Sequence, residues 1–305
     1  MAKQSRATRP VPILINSEGG TARSAGKGLA DTVEKACKAA GVVAEVHLLP
    51  GAEMAEAIDA AVGQPLIIVG GGDGTLRSAA SAIVKAGAKT TLGILPLGTH
   101  NHLAKQLAIP ADLTAAIEVA ANGGRRKIDV AEVNDQLFLN NASIGLYPML
   151  VRQREAEQER HGLPKWLANG VAARAVLRRL KHHLLRIEIA GTAQSVRTPL
   201  LFVGNNVYSL DGGKVGQRDA LDDGELSIFA MASATRLSAL WFAARTLVGK
   251  ADRERDFAAL ATAPELTVSA HASDLHVALD GELESLQTPL HFKIRPLALD
   301  VAVPA

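Results

Sequence analysis

The sequence of 305 residues contains a single cysteine, Cys37, and only 3% aromatic residues. One cysteine excludes a disulfide within the chain and a zinc site built from several thiolates, and it is typical of a reducing compartment. The net charge of +2 at pH 7 is too small for a protein that binds nucleic acid through many phosphate contacts. No apolar run approaches the roughly 18 residues that a membrane span needs, and Val11–Ile15 is too short for a signal-peptide core. We therefore expect a soluble, cytoplasmic protein that binds no nucleic acid.

Hydrophobic residues make up 48% of the chain, which is enough for two substantial cores. Up to about residue 110, short β-branched runs alternate with helical patterns, which predicts a parallel sheet covered by helices. The predicted strands are Val11–Ile15, Val42–Leu49, Pro65–Val69 and Thr91–Leu95. The later pattern is typical of antiparallel sheet, with strands predicted over 125–133, 136–144, 184–190, 196–207, 224–231, 264–280 and 288–303. Helical stretches are predicted over about 150–183 and 235–260.

Three turns that contain glycine follow predicted strands of the first part: Asn16–Gly20, Gly70–Thr75 and Pro96–Asn101. Ligands of an open parallel sheet bind at the carboxyl ends of its strands. Glycine lets the backbone approach an anion closely, and the amides at a helix N-terminus favour phosphate. The three turns together predict a nucleotide site, although each one alone could be an ordinary strand-to-helix turn.

Neither of two common phosphate motifs fits these turns. A Walker A loop would need glycine where Thr21 stands and a hydroxyl residue where Gly28 stands. A dinucleotide fingerprint that starts at Gly70 would need its last glycine at Thr75. The site therefore has to be of another type.

The segments Gly71–Thr75 and Leu95–Asn101 together resemble the paired signature of the diacylglycerol kinase catalytic family, which includes bacterial lipid kinases. Further segments agree with this resemblance in chain order: Asn16–Gly20, Lys127–Asp129, Asn141–Gly145, Gly204–Asn205, Asp222–Gly224 and Asp280–Glu282. The first segment alone is less specific, because NAD kinases and phosphofructokinases share it. The later segments indicate the lipid branch.

The resemblance implies an α/β plus β architecture with two domains. Residues 1–130 would form the nucleotide-binding domain, which the last strand, within residues 295–305, would join. Residues 131–294 would form a β-sandwich on the substrate side, with the helical insertion at about 150–183. Residue-level reading alone places the boundary near Arg125.

The resemblance also implies a site for Mg·ATP in the first domain. Its expected binding residues are Asn16, Ser17, Gly19, Gly20, Gly71, Gly72, Asp73, Gly74, Thr75, Gly98, Thr99 and Asn101. Asp73 would orient Mg²⁺ and ATP, with Asp129 as its partner in a water-bridged acidic network. By its position alone, Asp73 could instead cap a helix or form an Asx-turn.

The catalytic base for the acceptor hydroxyl is expected at Glu282, with Asp280 beside it, again from the resemblance. Read locally, the alternation before Asp280–Gly281 is typical of an ordinary hairpin turn. The resemblance further implies a structural Mg²⁺ held by Asp223 and the backbone carbonyls of Ala220 and Glu225. A solvated acidic turn explains the same residues.

One position departs from the family pattern, because His102 stands where aspartate is common. A carboxylate can hold Mg²⁺ or its waters, whereas imidazole is a poor substitute for a hard oxygen ligand. His100 and His102 could also indicate zinc, but no third ligand lies near them in the sequence.

The segment Lys165–Arg186 carries six basic residues and no acidic residue, interleaved with apolar ones. It predicts an amphipathic helix that could meet anionic lipid headgroups, or one that packs on the second domain. The resulting hypothesis is an ATP-dependent kinase of a diacylglycerol-like or related membrane lipid, with reversible membrane association. The alternatives are a sphingoid-base or NAD kinase and an inactive nucleotide- or lipid-binding regulator. A homodimer is left open.

Overall fold

The computed structural model describes residues 10–26, 28–145, 182–208, 218, 220–231 and 257–305. The chain divides into two compact units, one formed by Met1–Ile128 with Leu297–Ala305 and the other by Asp129–Pro296. Most of the predicted helical stretches, 150–183 and 235–260, and most of the basic segment lie outside the described residues. Where they overlap the described residues, at 183–186 and 257–260, the chain is β-strand and not helix.

The first unit has the predicted parallel sheet. Its elements are β1 (Val11–Asn16), α1 (Gly20–Ala25), α2 (Gly28–Ala39), β2 (Ala44–Leu49), α3 (Gly51–Ala61), β3 (Leu66–Gly71), α4 (Asp73–Lys85), β4 (Thr91–Pro96), α5 (His102–Gln106) and α6 (Leu113–Asn122). The strand order β2-β1-β3-β4 is parallel throughout. The last part of the final strand, Leu290–Val303, also pairs with β4 in parallel.

Hydrophobic patterning explains these elements. The run from Ile67 to Val69 is fully buried, as expected for a parallel strand that helices cover on both faces. In α2 the buried residues recur at helical spacing and face the sheet: Leu29, Val33, Ala36 and Cys37.

Burial raises the pKa of the Cys37 thiol, and nearby Glu34 adds to the rise. This thiol is therefore a core group and not a reactive nucleophile.

The second unit is antiparallel, as predicted. Its elements are β5 (Gly124–Val133), β6 (Gln136–Phe138), β7 (Asn141–Gly145), β8 (His183–Ile189), β9 (Thr192–Thr198), β10 (Leu200–Asn205), β11 (Leu226–Met231), β12 (Phe257–Ala263), β13 (Glu265–Ser269), β14 (Asp274–Leu279), β15 (Glu282–Gln287) and β16 (Leu290–Val303). One layer contains β16, β13, β8 and β9, and the other has the order β12-β11-β10-β7-β14-β15. Buried side chains from both layers share one hydrophobic cluster. The mixed α/β unit and the sandwich-like unit confirm the predicted fold class.

Three predicted strands are each two shorter strands. The predicted strand 136–144 breaks between β6 and β7, because the amides of Leu139 and Asn140 bind the side chain of Asp280. The predicted strands 196–207 and 264–280 are also interrupted, at residue 199 and at residues 270–273. Strand β15 and the first part of β9 were not predicted. The first part of β9 is polar and exposed, and neither segment has the apolar alternation that marks a strand in a sequence.

No helix among the described residues is long and apolar enough to cross a membrane.

A buried carboxylate gives the second unit a pH-dependent stability. Glu132 on β5 is 1% exposed and pairs with Lys293, at 2.7 Å, and with Arg295. Burial raises the pKa of Glu132, but the hydrogen bonds and charges of Arg295 and Lys293 outweigh it and hold the pKa below its ordinary value of 4.5. A lowered folded-state pKa contributes stability above 4.5, and that stability is lost as the pH falls through the folded value.

We predict that Glu132→Gln lowers the free energy of unfolding by about 2 kcal/mol at neutral pH. The variant should also lose part of the acid dependence below pH 4.5 that the wild type shows. Urea unfolding at several pH values measures both effects, with Glu265→Gln, an exposed position on β13, as the control. Equal acid dependence in the wild type and Glu132→Gln would contradict this role.

Candidate active site

Three loops meet at the carboxyl edge of the parallel sheet in the first unit. They follow β1, β3 and β4, whose adjacent parallel strands place the loops side by side. The Asn16 side-chain amide donates a hydrogen bond to Thr75 Oγ1 at 3.3 Å, which joins the first loop to the second. The Thr21 amide donates to the Leu97 carbonyl at 2.9 Å, which joins the first loop to the third. The structure thus brings together the loops in which nucleotide-binding residues were predicted.

Two glycines, Gly98 and Gly20, lie where neighbouring loops come close together. A Cβ on Gly98 would lie 2.3 Å from Gly72 Cα and 2.7 Å from the Asn101 side chain. Gly20 has a φ of +30°, and a Cβ there would lie 2.6 Å from the Leu97 carbonyl oxygen. Backbone atoms cannot rotate away as a side chain can. Gly98 and Gly20 therefore allow the three loops to pack at this distance.

We predict that Gly98→Ala lowers the free energy of unfolding by about 1–3 kcal/mol, because the added methyl group forces the loops apart. Gly28→Ala is the matched control, because a Cβ there meets nothing within 4 Å. Urea unfolding followed by circular dichroism compares the two variants with the wild type. If Gly98→Ala and Gly28→Ala were equally stable, this account of the loop packing would be wrong.

Asn101 shapes the third loop. Its backbone is left-handed, with φ 52° and ψ 49°. Its side-chain oxygen accepts from the Gly98 amide at 2.9 Å, and its side-chain nitrogen donates to the carbonyls of Pro96 and Gly98. The side chain of Asn101 therefore holds the turn closed. Thr99, which belongs to the same predicted set, is exposed.

Asp73 links the second loop to the third. It is the first residue of α4, and its carboxylate accepts from the backbone amides of His102 and Leu103 at 3.2 and 3.3 Å. Asp73 therefore caps the first turn of α5, the next helix along the chain, and not its own helix. Helix α4 follows Gly72, which has no side chain to cap it. The N-terminus of this 13-residue helix suits an anionic ligand.

Contacts with the end of β2 and the start of α3 hold the first loop in place. Ser17 Oγ donates to the Leu49 carbonyl at 3.0 Å, and the Glu18 amide donates to Asn16 Oδ1 at 3.0 Å, which is an Asx-turn. Glu18 accepts from the Gly51 amide at 2.9 Å. Gly19, which precedes α1, is half-buried. These contacts fix the loop that carries the predicted residues Asn16, Ser17, Gly19 and Gly20.

The second unit contains the hairpin predicted to carry the catalytic base. Asp280 and Gly281 both have positive φ, 50° and 94°, and connect β14 to β15 with Leu279 paired to Glu282. This is the two-residue turn that the local sequence predicts. Glu282 is exposed at the start of β15. The hairpin thus presents one carboxylate to solvent and turns the other inward.

The inward carboxylate belongs to Asp280. Its Oδ2 accepts from the Leu139 amide at 2.8 Å, and its Oδ1 accepts from the amides of Asn140 and Asn141 at 2.7 and 3.1 Å. Three backbone donors hold this carboxylate against the turn between β6 and β7. Asp280 therefore fixes the position of the hairpin, whereas Glu282 is exposed.

Asp129 lies in the second unit, whereas Asp73 lies in the first. Asp129 is 1% exposed, and its Oδ2 accepts from the Asn206 side chain at 3.1 Å and from the Gly224 amide at 2.8 Å. Asp129 thus ties the acidic turn Asp222–Gly224 to β5. In that turn Asp223 is exposed and accepts from the Val207 amide at 3.3 Å.

Comparison with known proteins follows the two units. Residues 10–133 match the diacylglycerol kinase catalytic domain, and residues 150–303 match the YegS C-terminal NAD kinase beta sandwich-like domain. A Pseudomonas aeruginosa protein named "Probable lipid kinase YegS-like" is 30% identical over 247 residues, which are 80% of this chain and 78% of that protein. This chain belongs to the diacylglycerol kinase catalytic-domain family.

One further protein and one solved structure resemble this chain. A Klebsiella pneumoniae protein with the same name is 49% identical over 80 residues, which are 26% of this chain and 27% of that protein. A crystal structure described as a diacylglycerol kinase from Bacillus anthracis has a TM-score of 0.67 at 21% identity, over 96% of each chain. The latter shows a shared fold. Membership in a kinase family makes the chain a phosphotransferase-type protein with a nucleotide as one substrate.

His102, which directly follows the third loop, is the position at which the sequence departs from the pattern that the resemblance implies. His102 is exposed as the first residue of α5, and its ring stacks on that of His100 with centroids 5.6 Å apart and planes 17° apart. Over the described ranges, no group of three His, Cys, Asp or Glu residues is arranged to hold a metal ion. The loop keeps its shape through Asn101 and Asp73, which do not depend on the side chain at position 102.

Sequence reasoning missed a set of buried polar residues behind the hairpin. Arg218, Tyr208 and Asn140 are 7%, 6% and 5% exposed, and all three bond to the turn between β6 and β7 or belong to it. The resemblance indicated the neighbouring Gly204–Asn205 segment but gave it no role. Arg218 had no signal, because Gln217–Asp219 reads as an ordinary polar loop.

Proposed function

We propose that this protein is an ATP-dependent lipid kinase, which transfers the γ-phosphate of Mg·ATP to the hydroxyl group of a diacylglycerol-like or related membrane lipid. The observation that carries the proposal is the convergence of the three loops of the first unit around the N-terminus of α4. The family match over both units supports the lipid as the acceptor class.

The loops fit the phosphates of a nucleotide. Gly72 precedes α4 and Gly74 lies in its first turn, where Gly72 has no side chain to bond the helix amides and the helix dipole favours negative charge. Gly19, Gly20 and Gly98 bring the neighbouring loops to the same edge. Backbone amides would thus bind the phosphates, a task to which a lysine side chain contributes in P-loop proteins.

Asp73 is the residue that we assign to the nucleotide-bound Mg²⁺. Its carboxylate accepts two amides of α5, and a carboxylate has lone pairs for about four partners, so it can still bind metal-coordinated water. Proteins usually hold catalytic Mg²⁺ through one or two carboxylates and the substrate phosphates. When bound, the ion would neutralise charge on the β- and γ-phosphates.

Glu282 is the residue that we assign as proton acceptor for the lipid hydroxyl. Its exposed carboxylate lies at the start of a strand, directly after a turn that Asp280 fixes through three amides. A base at a fixed position removes the hydroxyl proton as the oxygen attacks phosphorus. Asp280 then acts on the reaction through Glu282.

A second, structural cation remains a proposal for the acidic turn, with Asp223 and the carbonyls of Ala220 and Glu225 as its ligands. Among the described residues, the side-chain oxygen of the fully buried Asn206 has no hydrogen-bond donor, although its nitrogen donates to Asp129 behind this turn. An acceptor of this kind is compatible with a nearby cation.

Reversible association with membrane through the basic segment 165–186 is proposed from the sequence alone.

One observation favours an acceptor other than a glycerolipid. The second unit matches a domain described as NAD kinase beta sandwich-like, and a shared fold does not determine the substrate. Sphingoid bases and NAD are therefore the competing acceptors. A regulator without turnover is the third candidate, and the presence of His102 motivates it. In that case His102→Asp would create or greatly increase activity.

A panel of acceptors tests these proposals. Purified protein is incubated with labelled Mg·ATP and, separately, diacylglycerol in mixed micelles, a sphingoid base, and NAD. We expect labelled product with the glycerolipid. Label in the sphingoid base or NAD alone would replace the proposed acceptor. ATP binding without transfer to any of the three would favour the regulator.

A further inference from the structure

Arg218 is a buried arginine of the second unit to which the proposed reaction assigns no role. The residue is 7% exposed. Its Nη1 donates to the carbonyls of Leu139 and Asn205, both at 2.8 Å, and its Nη2 donates to Asn140 Oδ1 at 3.0 Å. The guanidinium carbon lies 5.5 Å from the centre of the Tyr208 ring. Both guanidinium Nη atoms therefore bind defined acceptors.

Two of these acceptors belong to the turn that holds the catalytic hairpin. The carbonyl of Leu139 and the side chain of Asn140 face Arg218, whereas the backbone amides of the same residues face Asp280. The turn is thus fixed from both sides. Tyr208 adds a third contact, since its hydroxyl donates to the Asn140 carbonyl at 3.0 Å.

A continuous set of hydrogen bonds leads from Arg218 to the hairpin. Arg218 fixes the position of residues 139 and 140, these residues fix the Asp280 carboxylate, and Asp280 is separated from Glu282 by Gly281 alone. The Asp280 amide also donates to the Asn141 carbonyl at 2.9 Å. Glu282 directly follows the two-residue turn and pairs with Leu279, so the geometry of that turn sets the position of the Glu282 backbone.

We propose that Arg218 is a positioning residue for Glu282, which acts by holding the Leu139–Asn141 turn in the geometry that fixes Asp280. The proposal rests on the proposed function, because it takes Glu282 as the base. A guanidinium suits this task, since its planar set of donors binds two acceptors in a fixed relative orientation. Lysine at this position would supply charge but not that geometry.

Burial makes the position sensitive to substitution. Loss of Arg218 removes a buried donor from the Asn140 side-chain oxygen, whereas the Leu139 carbonyl keeps the Asn205 side-chain amide at 2.9 Å. Arg218→Gln retains one amide donor group but cannot reach the same set of acceptors. We expect the turn to loosen while the two hydrophobic layers of the unit remain folded, because Arg218 is not part of the shared apolar cluster.

The kinetic test compares Arg218→Gln with Arg295→Gln, an arginine of the same unit that pairs with Glu132 on β5. For Arg218→Gln we expect kcat to fall at least about 30-fold with little change in KM for ATP. Arg295→Gln should stay within about threefold of wild type. Arg218→Lys should recover only part of the loss, because it restores charge without the planar geometry. Equal kcat in the wild type and Arg218→Gln would overturn the proposal.

A double-mutant cycle separates positioning from general destabilisation. If Arg218 acts through Glu282, Arg218→Gln should cause less than about a twofold further loss in a Glu282→Gln background. If Arg218→Gln lowers kcat by the same factor in the Glu282→Gln background as in the wild type, Arg218 does not act through Glu282 and the proposal fails.

Amide hydrogen exchange tests the positioning step without any activity. In Arg218→Gln the amides of Leu139, Asn140 and Asn141 should exchange at least about tenfold faster, and the β1 amides should be unchanged. Wild-type protection of the three amides in the variant would overturn the proposal. If the wild-type protein transferred no phosphate to any acceptor, the proposed function would fall, and the exchange rates would still decide whether Arg218 holds the turn.

Discussion

Asp73→Asn is expected to reduce phosphate transfer to below about a hundredth of the wild-type rate. The carboxylate is the group of the first unit that we assign to the nucleotide-bound Mg²⁺, and asparagine keeps the shape of the side chain but not its charge. The variant should remain folded, because the asparagine oxygen can still accept an amide from the first turn of α5. We expect a loss of about 1 kcal/mol in the free energy of unfolding.

Initial rates of labelled phosphate transfer measure the first effect, and urea unfolding measures the second. Asp112→Asn is a matched control, because Asp112 also caps a helix, through the Ala115 amide at 2.9 Å, but lies at the start of α6 and outside the three loops. Turnover above about a tenth of wild type in Asp73→Asn would refute the catalytic assignment.

Glu282→Gln is expected to lower kcat by about 100- to 10,000-fold, the range that a positioned general base contributes. The KM for ATP should change little, because Glu282 lies in the second unit and the proposed phosphate loops lie in the first. Glu282 is exposed at the first position of β15, so the free energy of unfolding should stay within about 0.5 kcal/mol of wild type.

Steady-state kinetics with the lipid acceptor test this prediction, with Glu265→Gln as the control for an exposed glutamate at the start of another strand of the same unit. A kcat for Glu282→Gln within about threefold of wild type would remove Glu282 as the base. Asp280→Asn would then be the next variant, since its carboxylate would be the remaining candidate.

The sequence predicted the parts of the structure that depend on local patterning. Each of the four parallel strands of the first part was predicted from a short apolar run, and in β3 the residues Ile67–Val69 are buried on both faces. The loops after β1, β3 and β4 were predicted because glycine marks sharp turns at helix N-termini. Their meeting at one edge follows from parallel strand order, which the alternating pattern indicates.

Contacts between distant residues could not be predicted in the same way. Asp73 caps a helix that begins 29 residues later, and the Asp280 carboxylate binds amides about 140 residues earlier in the chain. Nothing in the local pattern around Asp280 distinguishes a free turn carboxylate from one that three amides hold. Arg218 is the extreme case, because an arginine in a polar loop is usually solvated, and only the fold shows that it is buried.

His102 remains the position where the chain differs most clearly from the pattern that its family resemblance implies. Its backbone amide takes part in the cap by Asp73, which any residue could provide. Its side chain stacks on His100, and an imidazole does not supply the hard oxygen that Mg²⁺ prefers. Rates for the wild type and His102→Asp at several Mg²⁺ concentrations would show whether metal use is altered.

Transfer of label from Mg·ATP into mixed micelles made with a total bacterial lipid extract tests the central claim most directly. We predict a labelled product that partitions into chloroform with the wild-type protein and is absent with Asp73→Asn. The identity of that product would then define the acceptor lipid. A folded wild-type protein that binds ATP but leaves no label in the chloroform phase would contradict the assignment as a lipid kinase.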